Sequence, residues 1–187
     1  MALRLKALEI LSCEPVVMET HGGYGKIFDR CYFDIETGVV FEKNSRKADM
    51  LGKQRKTWAV YQADCIEALR GGAGSHLEIN FLDIDPYENP WEVLDAFLES
   101  DRPKAETLIV VVNDGLRQKV RIGAWDVGSL QGVVSKYGND LESVYLEVCQ
   151  ELMAEKAVKA GYDLDRFYGL YCGYNKQMTH YYAKLKQ

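Results

Sequence analysis

Residues 15 to 28 read PVVMETHGGYGKIF and contain the pattern that decides the fold. An apolar run at 16–18 ends at the acid Glu19, and an apolar spacing typical of a helix begins at Ile27. Between them lie three glycines: Gly22, Gly23 and Gly25. This order predicts a strand, a glycine turn and a helix. Because glycine permits positive φ and lets a ligand lie against backbone N–H groups, the loop predicts a ligand site, although a tight turn without a ligand gives the same pattern.

Length and composition indicate one soluble domain that covers residues 1–187. The five cysteines are an odd number without a C-x-x-C pair, which favours reduced thiols in a cytoplasmic protein. The three histidines have no metal-ligand spacing, so we expect no metal site. We also find no signal peptide, and the longest apolar run, 108–112, is too short to span a membrane.

The net charge of −5 predicts no general attraction to nucleic acid, but one short stretch is strongly basic. Its basic residues are Lys43, Arg46, Lys47, Lys53, Arg55 and Lys56. Such a run is usually a solvated helix face, and the alternative is a local patch that binds phosphate groups.

Buried runs alternate with helical patterns along the first two thirds of the chain. After the first strand, apolar runs predict strands at 39–41, 57–62, 77–82 (running on into Asp83) and 107–112. Helices are predicted at 3–12, from Ile27 to about Thr37, from Ser45 to about Leu51, at 65–70, from Pro90 and at 141–160. The segment 116–140 has no sustained period and is predicted to be irregular. Two aromatic-rich runs at 165–172 and 178–185 predict a terminal hairpin.

These elements predict a Rossmann-like α/β fold, with a seven-stranded, mostly parallel sheet, a C-terminal antiparallel hairpin and helices on both faces. Ligands of such sheets bind beyond the carboxyl ends of the strands. Polar residues follow the strands at those ends: Glu19, Glu42, Asp64, Asp83, Asp85 and Asn113. An acid after four successive strands, beside a glycine loop, favours a ligand site there.

The chain resembles the class I S-adenosylmethionine-dependent methyltransferases. The first motif of that family is an acid followed by glycines two, four and six positions later, and its places are filled here by Glu19, His21, Gly23 and Gly25, with histidine in place of the first glycine. The resemblance implies that Glu42 binds the ribose of S-adenosylmethionine and that Asp64 lies near its adenine. Asp83, which also ends a strand, is assigned to the same cofactor site.

The stretch Asp83-Ile84-Asp85-Pro86-Tyr87 is similar to a motif of transfer-RNA guanine dimethyltransferases, and more loosely to the Asn/Asp-Pro-Pro-Tyr/Phe loop of enzymes that methylate base amines. An amine conjugated to a base ring is a poor nucleophile, and a carboxylate and a carbonyl that accept its hydrogens would raise the electron density on nitrogen. Asp85, the Pro86 carbonyl and the ring of Tyr87 are therefore the candidate catalytic groups. A Pro-Tyr turn that only begins a helix is the structural alternative.

The sequence thus predicts a methyltransferase that acts on an exocyclic amine of a nucleic-acid base, RNA rather than DNA. Two other functions stay open. A non-catalytic module could keep this fold as a partner subunit. An NAD-dependent oxidoreductase could use Glu42 on a nicotinamide ribose, but its fingerprint requires a glycine where this chain has Phe28.

Overall fold

The computed structural model describes residues 1–86, 89–122 and 130–187. In these ranges one sheet contains seven strands: β1 (Val16–Glu19), β2 (Thr37–Phe41), β3 (Ala59–Tyr61), β4 (Phe81–Ile84), β5 (Thr107–Asp114), β6 (Asp163–Cys172) and β7 (Met178–Lys186). The strand order is β3-β2-β1-β4-β5-β7-β6, with β1 to β5 parallel and β7 antiparallel to both neighbours. The predicted fold class is therefore confirmed.

Helices cover both faces of the sheet in the described ranges. They are α1 (Ala2–Glu9), α2 (Ser45–Gln54), α3 (Cys65–Arg70), α4 (Pro90–Leu98), α5 (Leu116–Arg121), α6 (Gln131–Tyr137) and α7 (Tyr145–Lys159). One apolar cluster lies between the sheet and α3, α4 and α7, and a second lies between the sheet and α1, α2 and Trp58. No helix among the described residues is long and apolar enough to span a bilayer.

Several predicted bounds on the α2 side of the sheet are wrong. The helix predicted from Ile27 to about Thr37 is only a π-helical turn at Phe28–Tyr32. Helix α1 ends at Glu9 rather than near residue 12. Helix α2 is capped by Asn44, whose side chain accepts from the Lys47 N–H at 3.1 Å, and not by Ser45. The helix also continues through Gly52 because a glycine inside a helix costs only about 1 kcal/mol, which tertiary packing can offset.

The fourth strand begins at Phe81 and not at Leu77, so its predicted start is also wrong. The side chain of Asn80 accepts from the Val16 N–H at 2.7 Å and donates to the Glu14 carbonyl at 2.8 Å. Asn80 thus ties the entry to β1 to the entry to β4 by side-chain bonds. Alternation of apolar residues before Asn80 reflects partial burial of Leu77 and full burial of Ile79, and not pairing in the sheet.

The residues after Val112 differ most from the sequence expectation. Strand β5 continues through Asn113 and Asp114 because β7 pairs with it there, so the strand end predicted at residue 112 is too early. Asp114 is fully buried and accepts from the Leu116 N–H at 2.7 Å and the Tyr145 hydroxyl at 3.0 Å. Burial raises the pKa of Asp114 to about 6.

The predicted irregular segment 116–140 contains α5 and α6, while its residues 123–129 lie outside the described ranges. Helix α7 begins at Tyr145, after a 3₁₀ turn at Gly138–Asp140, so the start predicted at residue 141 is too early. Neither α5 nor α6 has more than seven residues, which is too short for a helical period to stand out in the sequence.

Candidate functional site

The glycine loop lies where the strand order reverses, between β2 and β4 on either side of β1. Its backbone is fixed to both neighbours, since the Thr20 N–H donates to the Asp83 carbonyl at 3.0 Å and the Gly22 N–H to the Phe41 carbonyl at 2.9 Å. This is the switch point at which open α/β sheets bind ligands. The sequence prediction placed the site at this end of the sheet.

Two glycines of the loop need positive φ, +55° at Gly23 and +74° at Gly25. A Cβ on Gly25 would lie 2.4 Å from the side-chain oxygen of Gln54, so this glycine packs closely against α2. A Cβ on Gly23 would meet no atom of the described residues within 4 Å. Gly23 therefore borders open space in which a ligand could lie against the backbone.

Glu42 follows β2 and is held against the glycine loop. Its carboxylate accepts from the Gly23 N–H and from the Asn44 N–H, both at 2.8 Å. Because each carboxylate oxygen can accept about two hydrogen bonds, both oxygens keep acceptor capacity for hydroxyl groups of a ligand. The predicted neighbours Glu42 and Gly23 are thus in contact.

His21 lies among the acids of the site. Its ring contacts the Thr20 hydroxyl through Nδ1 at 2.8 Å and the Cys65 thiol through Nε2 at 3.8 Å. Burial lowers the pKa of His21, and the neighbouring carboxylates, Asp85 and Glu42 first, oppose that shift. The imidazole is therefore neutral at neutral pH, and the charges of both Asp85 and Glu42 act on it.

Asp64 caps α3 and is partly exposed. One oxygen accepts from the N–H groups of Ile66 at 3.0 Å and Glu67 at 3.3 Å, and the other lies 3.5 Å from the Lys43 ammonium. Burial raises the pKa of Asp64, but the hydrogen bonds from the helix and the Lys43 charge outweigh it and lower the pKa overall. Asp64 is thus ionised, with its second oxygen on the side that Lys43 approaches.

Glu19 differs from the other predicted cofactor residues because it does not face the open end of the sheet. Its side chain is fully buried, and Oε2 lies 2.7 Å from a guanidinium nitrogen of Arg55, which is buried as well. The Arg55 guanidinium also lies over the rings of Phe28 at 4.4 Å and Trp58 at 5.0 Å. Arg55 is therefore a core residue, and its place in a surface basic patch is wrong.

The predicted acids Asp83 and Asp85 lie on either side of one arginine that sequence reasoning missed. Arg4 of α1 donates to both oxygens of Asp83, at 2.7 and 2.9 Å, and to Asp85 Oδ2 at 3.2 Å. Asp83 is fully buried and also accepts from the Tyr32 hydroxyl at 2.6 Å. Asp83 is consequently enclosed by protein groups.

Asp85 is the more accessible acid, with 24% of its side chain exposed. The side-chain amide of Asn113 donates to its other oxygen at 2.7 Å. Burial raises the pKa of Asp85 overall, and the charge of Arg4 and the Asn113 hydrogen bond oppose that rise. Pro86 is buried next to it, and Tyr87, the third predicted catalytic residue, lies outside the described residues.

Solved structures share this architecture over nearly the whole chain. TYW2 of M. jannaschii in complex with AdoMet matches with a TM-score of 0.61 and 15% identity, covering 98% of this chain and 74% of TYW2. The plantazolicin methyltransferase BamL in complex with a desmethylPZN analogue and SAH matches with a TM-score of 0.60 and 7% identity, over 99% of this chain and 82% of BamL. The methyltransferase domain of bacterial CtHen1 matches with a TM-score of 0.55 and 13% identity, covering 97% of this chain and 93% of the CtHen1 domain.

The chain shares the Rossmann-like fold of these methyltransferase structures. No protein-family model and no curated protein matches the sequence. Phe28, at the position where a dinucleotide fingerprint requires glycine, is buried and packs edge-on against Trp58 at 5.2 Å between ring centroids. The described residues also contain no group of three or more side chains that could hold a metal ion.

Proposed function

We propose that this protein is an S-adenosylmethionine-dependent methyltransferase whose acceptor is an exocyclic amine of a nucleic-acid base, in RNA rather than DNA. The observation that supports it most is the arrangement of Asp85. This carboxylate, 24% exposed, is held by two donors at the switch point of a methyltransferase fold, and its charge acts on His21 as that of Glu42 does. Asp85 thus has the position and the acceptor oxygens that an amine substrate requires.

The described residues fit the cofactor. The open space beside Gly23 lets a ligand approach the backbone, and Glu42 keeps acceptor capacity for the two ribose hydroxyls. A neutral His21 adds no positive charge that would repel a sulfonium. Two proteins of the same fold, TYW2 and BamL, bind AdoMet and SAH. When bound, S-adenosylmethionine supplies an electrophilic methyl group.

In this proposal Asp85 and the Pro86 carbonyl accept the hydrogens of the acceptor amine. These bonds orient the nitrogen and increase its electron density, which compensates for conjugation with the base ring. Tyr87 supplies an aromatic face on which the base can stack. The charge of Arg4 and the hydrogen bond from Asn113 favour the ionised form of Asp85, in which both oxygens can act as acceptors.

The basic stretch on and beside α2 supplies contacts to phosphate. Four of its members are exposed: Lys43, Arg46, Lys53 and Lys56. The ammonium of Lys47 lies over the ring of the exposed Tyr24 at 4.8 Å, which places a cation and an aromatic face together next to the glycine loop. Cations combined with aromatic faces suit a single-stranded nucleic acid.

Replacing Glu42 by alanine is expected to weaken S-adenosylmethionine binding by about 1.5 to 3 kcal/mol, because charge-assisted hydrogen bonds to the ribose are lost. Isothermal titration calorimetry measures the change. Glu36→Ala is the matched control, since this exposed acid lies just before β2 at the opposite end of the strand. Equal affinities of the Glu42 and Glu36 variants for S-adenosylmethionine would show that Glu42 does not bind the ribose. Stabilisation of the wild type by NAD instead would favour an oxidoreductase, and no response to either ligand would favour a non-catalytic module.

Labelled methyl transfer to total cellular RNA, DNA and a metabolite extract in parallel tests the acceptor class. We expect label in RNA, with binding that weakens steeply as salt rises, because phosphate contacts release counterions. Lys56→Gln should lower the salt slope by about one, and Lys159→Gln, which removes an exposed lysine of α7, should not change it. Label in the metabolite extract alone, with salt-insensitive turnover, would refute the nucleic-acid acceptor.

A further inference from the structure

Arg4 is the one residue of α1 that reaches the candidate acceptor site in the described part of the chain. Its side chain is 5% exposed, and its three nitrogens all have partners. Nε and one terminal nitrogen donate to Asp83, and the other terminal nitrogen lies 3.3 Å from His180 Nε2. Because a guanidinium has no acceptor, Nε2 of His180 must be the acceptor in that contact.

The contact with Asp83 fixes the plane of the guanidinium. Two parallel hydrogen bonds of 2.7 and 2.9 Å form a bidentate pair, which defines orientation as well as distance. Asp83 itself is held by the Tyr32 hydroxyl and sits inside β4. The terminal nitrogen that bonds Asp83 Oδ1 has a second hydrogen, and Asp85 Oδ2 lies 3.2 Å from that nitrogen. Asp83 thus orients the guanidinium of Arg4, and Arg4 in turn holds the carboxylate of Asp85 by a hydrogen bond.

We infer that Arg4 is a positioning residue for methyl transfer, which keeps the carboxylate of Asp85 ionised and oriented toward the acceptor amine. The inference rests on the proposed function. With Arg4 on one oxygen and Asn113 on the other, the carboxylate cannot rotate, and each oxygen keeps acceptor capacity for a further donor. The site therefore selects an acceptor that donates hydrogens, such as an amine, and rejects carbonyl or phosphate oxygens.

The charges around Asp85 require such an arginine. Asp83 and Asp85 are two carboxylates close together, and like charges favour protonation of one of them. The other groups that face Asp85 are Asn113 and His21, and burial lowers the pKa of His21. Burial, together with the Arg4 charge, also lowers the pKa of His180 to about 4, so this imidazole is neutral. Arg4 is consequently the cation that balances the acids in this cluster.

The variants Arg4→Gln and Arg4→Lys distinguish a role of Arg4 in positioning Asp85 from a role in folding alone. We expect kcat to fall about 100-fold in Arg4→Gln and less in Arg4→Lys, with the KM for S-adenosylmethionine unchanged, because Asp85 is misoriented while Glu42 keeps its contacts with the glycine loop. The acidic limb of the rate profile should move to higher pH in Arg4→Gln, since the cation that favours ionised Asp85 is lost. The matched control is Lys6→Gln, which removes a cation of the same helix that lies over Tyr168.

A titration of Asp85 by ¹³C NMR tests the inference without any activity. The pKa of Asp85 should rise in Arg4→Gln, rise less in Arg4→Lys and stay unchanged in Lys6→Gln. If Arg4→Gln does not fold, Arg4→Lys alone gives the answer, because its ammonium can still pair with Asp83. An unchanged pKa in the Arg4 variants would overturn the inference even in an active enzyme. A raised pKa in a protein that transfers no methyl group would overturn the proposed function and leave the Arg4 coupling intact.

Discussion

Asp85→Ala should lower methyl transfer by at least about 10³-fold while leaving S-adenosylmethionine affinity nearly unchanged. The carboxylate is the only predicted catalytic side chain of the described residues that combines exposure with two fixed donors. Removing it leaves the amine without its acceptor, and loss of one preorganised group at a reacting centre typically costs 10² to 10³ or more. Single-turnover transfer to the labelled acceptor and calorimetry of the cofactor measure the two quantities separately.

Asp85→Asn is the informative companion of this variant. Asparagine keeps an acceptor oxygen and the side-chain shape, and the looser relative of the motif accepts either residue at this position. We therefore expect a smaller loss of transfer in Asp85→Asn than in Asp85→Ala. Methyl transfer that survives in Asp85→Ala would remove the mechanism, and a parallel loss of cofactor binding would move Asp85 into the cofactor site.

The sheet could be predicted from the sequence because its signals are local. Each buried strand of β1 to β5 has an apolar run, and the terminal hairpin has two aromatic-rich runs. Once the alternation of strands and helices implied a parallel sheet, the polar residues after the strands had to meet at one end. The charges of Asp85, Glu42 and Asp64 all act on the imidazole of His21, which agrees with that step.

The bounds that failed depend on contacts that no local pattern records. Strand β5 reaches Asp114 because β7 continues to pair with it, and Asp114 is satisfied by Tyr145 from α7. Likewise, β4 begins only after Asn80, whose side chain forms hydrogen bonds with Val16 and Glu14 at the start of β1. Tertiary pairing overrides local propensity in both places.

Sequence analysis missed the role of Arg4 and placed Arg55 on the surface, because the partners of both arginines are far away in the sequence. Arg4 and Asp83 are 79 positions apart, and Arg4 stands in a lead-in helix that reads as a packing element. Arg55 stands between exposed lysines and reads as one more surface charge. Charged residues are rarely buried unless paired, so composition alone favours the surface for both. Only the fold shows that each arginine pairs with a buried acid, Arg4 with Asp83 and Arg55 with Glu19.

Arg55→Ala should destabilise the protein by about 3 to 5 kcal/mol, because it leaves the fully buried Glu19 carboxylate without its cation. The neighbouring Lys56→Ala is the matched control, since this exposed lysine should change the free energy of unfolding by less than about 0.5 kcal/mol. Urea denaturation measures both. The double replacement Glu19→Gln with Arg55→Met should cost less than Arg55→Ala, because it leaves no unpaired charge.

The pH dependence of Arg55→Ala gives a second test of the same ion pair. Burial raises the pKa of Glu19, and Arg55 opposes that rise, so the pKa should increase further when Arg55 is removed. A carboxyl whose folded pKa lies above its unfolded value binds its proton more tightly in the folded state. Its stability contribution is therefore present at low pH and lost as pH rises through the folded pKa. Because the pKa of Glu19 is already raised to about 8 with Arg55 in place, the defect of Arg55→Ala should grow only above that pH. It should be smaller at pH 7 than at pH 9, and a defect that is equal at both would show that Arg55 does not act on the Glu19 carboxyl.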